Sequence, residues 1–180
     1  MRIIAGKLRG RKLIAPPGRK VRPTGDRMKE SIFSALGEAC KGARVLDLFA
    51  GSGALGLEAL SRGAASVTFV EKNRAVIASL EENVRLLGVE ADCEIICADV
   101  FPFLEKLNKG DDFDLVLADP PFASGFAGRV FSWWLQSCCR SSILVLECPE
   151  NEISLPGDIP VRELKTARFG QSTYSIYLAE

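Results

Sequence analysis

From residue 43 onward the chain alternates short apolar runs with longer stretches of helical periodicity, and that alternation leaves few folds open. Strand-like runs lie near 44–50, 66–71, 93–98, 114–119 and 142–148, and helix-like stretches near 53–62, 73–88 and 125–138. Within 73–88, Val76, Leu80, Val84 and Leu87 recur every three to four residues, and Gly88 supplies a stop. Strands buried on both faces read as continuous apolar runs. Strand–helix–strand repeats build a mostly parallel sheet covered by helices on both sides. After Pro149 the pattern changes. Residues 161–168 and 172–178 read as two successive strands joined around Gly170-Gln171, a hairpin expected at the sheet edge. The expectation is an α/β domain with a mostly parallel seven-stranded sheet and an antiparallel C-terminal hairpin.

The first 22 residues read differently. Residues 1–15 suggest two short strands around Gly6 to Gly10, and Pro16-Pro17-Gly18 breaks them. A helix is expected over about 25–40, with Ile32, Phe33, Leu36 and Ala39 on one side and Thr24 or Asp26 as cap. The chain of 180 residues therefore divides into a basic β-hairpin arm, 1–22, on one body, 23–180.

The net charge is zero, but the charges are segregated. Residues 1–30 carry ten Lys and Arg against two acids, and the rest of the chain is correspondingly acidic. A basic arm on an acidic body points to a polyanionic partner. Ile3, Ile4, Leu8, Leu13 and Ile14 interleave with the charges, so the arm is expected to be ordered. No stretch approaches the ~20 apolar residues of a membrane span, and the N-terminus lacks the apolar core of a secretory signal. A cytoplasmic protein that does not meet a membrane is expected. Six cysteines without a Cys-x-x-Cys pair, and no histidine, argue against a metal site. Cys93, Cys97 and Cys148 lie in apolar runs and read as small buried hydrophobes. Without histidine, chemistry here must rely on carboxylates, backbone groups and positioning.

Gly51, Gly53 and Gly56 satisfy G-x-G-x-x-G between a strand and a helix, and Glu71 ends the next strand about twenty residues on. A carboxylate there accepts hydrogen bonds from ribose hydroxyls. Asp47 sits near the end of the first strand, where it would repel a pyrophosphate and welcome a cation. Asp99 closes the third strand, where it can reach an adenine amino group. Three acids at three successive strand ends suit S-adenosylmethionine, which carries positive charge, ribose and adenine but no phosphate.

Asp119-Pro120-Pro121-Phe122 follows the buried run Leu115-Val116-Leu117-Ala118. An exocyclic amine on a base is a poor nucleophile because its lone pair is delocalised into the ring. Hydrogen bonds from that NH₂ to the Asp119 carboxylate and the Pro120 carbonyl would orient the nitrogen and localise the lone pair. The prolines fix the backbone, and Phe122 would stack on the base, worth roughly 1–3 kcal/mol. Positioning then supplies much of the catalysis. A target in folded nucleic acid must be flipped out.

The stretch resembles the (Asp/Asn)-Pro-Pro-(Tyr/Phe) motif of amino-nitrogen methyltransferases, and the likeness extends along the chain. Arg2–Lys7, Arg9–Leu13, Arg22–Arg27, Asp47–Ala64 and Val70–Asn73 look like the bacterial 16S rRNA guanine-N2 methyltransferases of the D-type small-subunit family. The resemblance implies a Rossmann-like class I methyltransferase fold and transfer of a methyl group from S-adenosylmethionine to the N2 amine of one guanine in small-subunit rRNA. The substrate implied is an assembled or assembling 30S particle, met by a monomer. It also implies a cofactor site at Asp47, Phe49, Gly51, Gly53, Glu71, Asp99 and Val100, with Thr24 closing over the methionine end beside Asp26 and Arg27. Catalysis falls to Asp119, Pro120 and Phe122. Gly25 stands where the family commonly has Thr. Arg9, Arg11, Lys12, Arg19, Lys20, Arg22 and Arg27 become the candidate RNA contacts, which set affinity and register and not base identity.

The same four-residue motif serves adenine-N6 methyltransferases, a neighbouring class, though a short basic arm without a recognition domain fits sequence-specific DNA poorly. A nicotinamide oxidoreductase would explain the three glycines but neither Asp47 nor Asp119–Phe122. A silent RNA-binding factor would leave the motif without a purpose.

Overall fold

The computed structural model describes residues 1–16, 23–107, 113–121, 125–137, 142–148, 160–170 and 172–180, with the side chains of Pro23, Thr24 and Ser172 outside that description. The apolar runs form β1 (Arg44–Leu48), β2 (Ser66–Glu71), β3 (Cys93–Cys97), β4 (Leu115–Ala118) and β5 (Ile143–Cys148), followed by the hairpin β6 (Val161–Phe169) and β7 (Ser172–Ala179). The helices are α1 (Pro23–Leu36), α2 (Ala54–Ser61), α3 (Arg74–Leu87), α4 (Val100–Leu104) and α5 (Phe126–Ser137). All seven strands join one sheet in the order β3-β2-β1-β4-β5-β7-β6. β1 to β5 pair in parallel, and the hairpin pairs antiparallel. The seven-stranded, mostly parallel α/β architecture is therefore as expected, with β7 inserted beside β5 and β6 forming the border. The strand order reverses between β1 and β4, and such a switch point leaves a crevice outside the carboxyl ends of the strands.

Side chains alternate across the sheet. Val45, Leu115, Leu117 and Val145 pack with Ile32 and Phe33 of α1, Leu57 and Leu60 of α2, and Leu80 and Val84 of α3. Leu46, Leu48, Val116, Leu144 and Leu146 face Val100 and Leu104 of α4 and Val130, Phe131 and Trp134 of α5.

Four local expectations are corrected. α1 starts at Pro23, so Thr24 and Asp26 lie inside its first turn and do not cap it. Proline is preorganised for that opening position. The helix ends at Leu36, and Gly37–Cys40 continues as a 3₁₀ turn. α4 has no counterpart in the sequence reading, because five residues containing a proline show no helical period. Cys40 and Cys148 are buried, but Cys97 is exposed and Cys93 half-buried. The reason is that β3 is the other border strand, where one apolar run no longer implies two covered faces.

The N-terminal segment is a reduced hairpin with a single antiparallel bridge, Arg2 to Lys12. Its turn is docked on α2. Lys7 N donates to Ser61 O at 2.7 Å. Gly6 has φ +82°, and a Cβ there would lie 1.8 Å from the same carbonyl oxygen, so glycine is required by both conformation and space. Ile3 and Leu13 enter the core. Beneath them Glu58, fully buried, accepts from Ile4 N at 2.7 Å and Ala5 N at 3.1 Å. It also accepts from Arg62 Nε at 2.9 Å and lies 3.6 Å from Lys29 Nζ. Lys29 of α1, one of the ten basic residues, is therefore buried in an ion pair and not offered to a polyanion. No helix among the described residues is long and apolar enough to cross a membrane.

Removing the Glu58 carboxylate leaves two backbone N–H groups without an acceptor and a buried lysine without its counter-ion, holding only the Arg2 carbonyl. Glu58→Ala is expected to lower stability by about 3–5 kcal/mol and to speed amide exchange at Ile4 and Ala5. Urea unfolding and hydrogen exchange measure both, and an unchanged urea midpoint would show that the other attachments of the segment, Ile3, Leu13 and the Ser61 and Asn83 hydrogen bonds, suffice without Glu58.

Candidate active site

Leu48 pairs with Ala118, so the chain leaves β1 and β4 side by side at the switch point. The segment after β1 turns sharply. Phe49 has φ 58°, a conformation that bulky residues rarely hold without support. The support is aromatic: its ring stacks on Phe126, with centroids 6.1 Å apart, and meets Phe101 edge-on at 6.1 Å. Gly53 N donates to Ala50 O at 2.8 Å as α2 begins. At Gly56 a Cβ would lie 2.4 Å from Phe69 and 2.7 Å from Val67, so the third glycine of the pattern lets α2 press onto β2. The bare backbone there has a second use, because Gly56 N donates to Asp47 Oδ2 at 2.9 Å.

Two adjoining clefts open along the carboxyl ends. One, about 190 Å³, is lined by Asp47, Ala54 and Leu55 on the glycine-loop side, by Gly25, Asp26 and Lys29 of α1, and by Asp119 and Glu147. The other, about 320 Å³, is lined by Glu71, Asn73, Val76, Asp99 and Val100. Pro16, Phe49, Gly51 and Asp119 border both, so the two form one continuous groove.

The carboxylates of the second cleft are held by backbone donors. Glu71 accepts from Gly51 N at 3.1 Å and Asn73 N at 2.8 Å, tying the glycine loop to the end of β2. Asp99 accepts from Phe101 N at 3.2 Å as the N-cap of α4, and Lys72 Nζ lies 3.6 Å from its other oxygen. Asp47, at the first cleft, is 2% exposed. Burial pushes its carboxyl up to about 8. The Gly56 N–H pulls the other way, and the charges of Asp119 and Glu71 add to the rise. The lysines lining the groove already face carboxylates, Lys29 that of Glu58 and Lys72 that of Asp99. The groove thus suits a ligand with positive charge and hydroxyl groups and repels a pyrophosphate.

Asp47, Phe49, Gly51, Asp99, Val100, Glu71 and Asp119 are thereby brought to one groove, with Gly53 at the start of α2 behind it. Pro120 is buried, and Pro121 lines the second cleft. Phe122 falls outside the described residues, as do Arg19, Lys20, Arg22 and the Thr24 side chain. Arg9, Arg11, Lys12 and Arg27 are exposed. Arg11 also donates to Leu86 O, the far end of α3, at 3.0 Å. Sequence reasoning passed over three residues. Glu147 ends an apolar run in the same manner as the other strand-end acids, a signal present in the pattern. Lys29 and Asn83 carry no such signal. Asn83 accepts from Ile14 N at 2.7 Å and donates to Ile14 O and Ser52 O at 3.0 Å each, fastening the N-terminal segment to the glycine loop.

The chain is similar to several known proteins. A family model described as conserved hypothetical protein 95 matches residues 1–178. Ribosomal RNA small subunit methyltransferase D of Escherichia coli (strain K12) is 37% identical over 186 residues, spanning 100% of this chain and 90% of that protein. The protein of the same name from Haemophilus influenzae is 42% identical over 133 residues, 73% of this chain and 69% of its own. Among solved structures, yhhF from Escherichia coli matches with a TM-score of 0.88 at 34% identity, covering 100% of this chain and 98% of that one. SMU.776, complexed with SAH, shares the fold alone: TM-score 0.72 and 14% identity over 88% of this chain and 50% of that one.

The raised Asp47 carboxyl has a consequence for stability. An unfolded aspartate loses its proton near pH 3.9, whereas the folded one keeps it to about pH 8. The folded state binds the extra proton between those values, so folding is favoured fully at the acid end and progressively less as pH rises toward 8. Asp47→Asn titrates in neither state. Its stability is expected to fall less between pH 5 and 8 than that of the natural chain, measured by urea midpoints. Equal slopes would show Asp47 already ionised at pH 5.

Proposed function

The chain belongs to the family described as conserved hypothetical protein 95, and from that premise we propose that it methylates the N2 amine of a guanine in small-subunit ribosomal RNA, with S-adenosylmethionine as donor. One observation carries the reading: Asp119 borders both clefts of a groove that holds Asp47 in one and Glu71 and Asp99 in the other. The names of the Escherichia coli and Haemophilus influenzae relatives support small-subunit rRNA as substrate. The choice of guanine N2 rests on the sequence resemblance.

Bound in the groove, S-adenosylmethionine supplies a methyl carbon on a sulfonium leaving group. Glu71, with two lone pairs committed to Gly51 N and Asn73 N, keeps others for ribose hydroxyls. Asp99 and Val100 would hold the adenine end, and Asp47 would meet the positive end. A cation beside Asp47 favours its ionised form and offsets the desolvation that holds it neutral. Asp119 would accept a hydrogen bond from the substrate amine and, as the N–C bond forms and the methyl–sulfur bond breaks, take up the proton that the nitrogen loses. Pro120 O holds the second amine hydrogen, with Phe122 stacked on the base.

We assign Arg9, Arg11, Lys12, Arg19, Lys20, Arg22 and Arg27 to RNA contact, the chain acting as a monomer on an assembled or assembling small subunit in the cytoplasm. The 1–22 segment serves as the RNA-binding face, with residues 1–16 docked on α2 and α3 of the 23–180 body.

Nucleoside mass spectrometry after incubation with S-adenosylmethionine and unmodified small subunits, with duplex DNA in parallel, tests the whole reading. N2-methylguanosine is expected in the ribosomal RNA alone. N6-methyladenosine would keep the fold and donor but replace the substrate. Asp119→Ala is expected to lose transfer and to retain thermal stabilisation by S-adenosylhomocysteine; near-normal turnover would remove Asp119 from the chemistry. Neutralising Arg9, Arg11 and Lys12 together should weaken RNA binding and flatten its salt dependence by about two units of slope. An unchanged slope would take these residues out of the interface.

A further inference from the structure

We infer that Glu147 reads the target base as guanine: its carboxylate accepts the base N1–H while Asp119 and the Pro120 carbonyl hold the N2 amine. The inference rests on the methyl-transfer reading above and adds the contact that selects the base. Ala118 pairs with Leu146, so the next residues, Asp119 and Glu147, leave neighbouring parallel strands side by side, with backbones about 4.7–4.9 Å apart. Both lie on the sheet face that carries Asp47, and all three line the first cleft.

Glu147 differs from the other buried acids of this face. It is 8% exposed. Glu58 has four donors, and Asp47 accepts from Gly56 N. Among the described residues the Glu147 carboxylate has no hydrogen bond or ion pair. Its oxygens therefore face the cleft and not the core, and a ligand that displaces water from them must bring a donor in its place. The cleft thus suits a group that gives a hydrogen to Glu147 beside the amine held at Asp119.

Guanine meets that demand. Its Watson–Crick edge presents N1–H beside N2–H₂, two neighbouring donor groups. Adenine presents N6–H₂ beside a bare N1 lone pair, and cytosine N4–H₂ beside a bare N3. With the amine of either on Asp119, the adjacent lone pair would face the Glu147 carboxylate and be repelled. A site built to bond a particular hydrogen rejects the analogue that lacks it far more strongly than any apolar pocket does. The contact also aids the reaction, since a carboxylate on N1–H pushes electron density toward N2.

The test uses the full chain with unmodified small subunits and saturating S-adenosylmethionine, read as single-turnover formation of N2-methylguanosine. Glu147→Ala is expected to slow transfer at least 100-fold, and Glu147→Gln, which keeps an acceptor oxygen without the charge, about tenfold. Thermal stabilisation by S-adenosylhomocysteine, melting temperature and subunit affinity should stay near wild type in the Gln variant. Wild-type rates in both variants would overturn the assignment and leave the methyl-transfer reading standing. A loss that tracks melting temperature or S-adenosylhomocysteine binding would also overturn it, in favour of a structural role. N6-methyladenosine, or no methylated base, from the unaltered chain would overturn the parent reading and this inference with it.

Discussion

A single buried carboxylate, that of Glu58, joins the three pieces of chain that frame the groove. It sits on α2, accepts the backbone of the N-terminal segment through Ile4 and Ala5, and pairs with Lys29 on α1. A buried charge of this kind is tolerable only when its lone pairs are fully used, and breaking such a group leaves the remaining partners unpaired. The arrangement is consequently all-or-none. It makes the N-terminal segment part of the core and sets α1 where Gly25 and Asp26 border the first cleft.

The groove depends in turn on where the sheet reverses. β1 and β4 pair with their carboxyl ends together, and the helices that follow them depart to opposite faces. Acids at strand ends that are far apart along the chain therefore converge on one crevice. Mutual repulsion among them is contained by backbone donors: Gly56 N for Asp47, Gly51 N and Asn73 N for Glu71, Phe101 N for Asp99. These donors exist because loops and helix starts leave N–H groups free of the helical ladder. The carboxylates make the site acidic and the backbone donors hold them together, which suits a cationic ligand without phosphate.

Much of this was legible in the chain. The runs at 66–71 and 142–148 mark β2 and β5 closely, because a strand covered on both faces has to be apolar throughout. The glycine pattern and Asp47, Glu71, Asp99 and Asp119 were legible because each closes or interrupts such a run. The border strand β3 was misread as fully buried at Cys97, and α4 was invisible, since edge position and five-residue helices leave no period. Glu147 carried the same signal as the other strand-end acids. Its importance lies in adjacency to Asp119, which is a matter of register.

By itself, the sequence determined the class of fold and the chemistry within reach: local pattern dictates strands, helices and turns, and a chain without histidine must work with carboxylates and backbone. Only the tertiary structure decided which charges are spent internally and which face a ligand. Lys29 and Arg9 are alike as residues, yet one neutralises Glu58 in the core and the other stands exposed. Asp47 and Asp119 are equally acidic as a string, yet burial holds one neutral to about pH 8 while the other lies open at the mouth of β4. The physical reason is that desolvation and pairing depend on what packs around a group, and strand order brings together residues such as Asp47 and Glu147 that the linear chain keeps far apart.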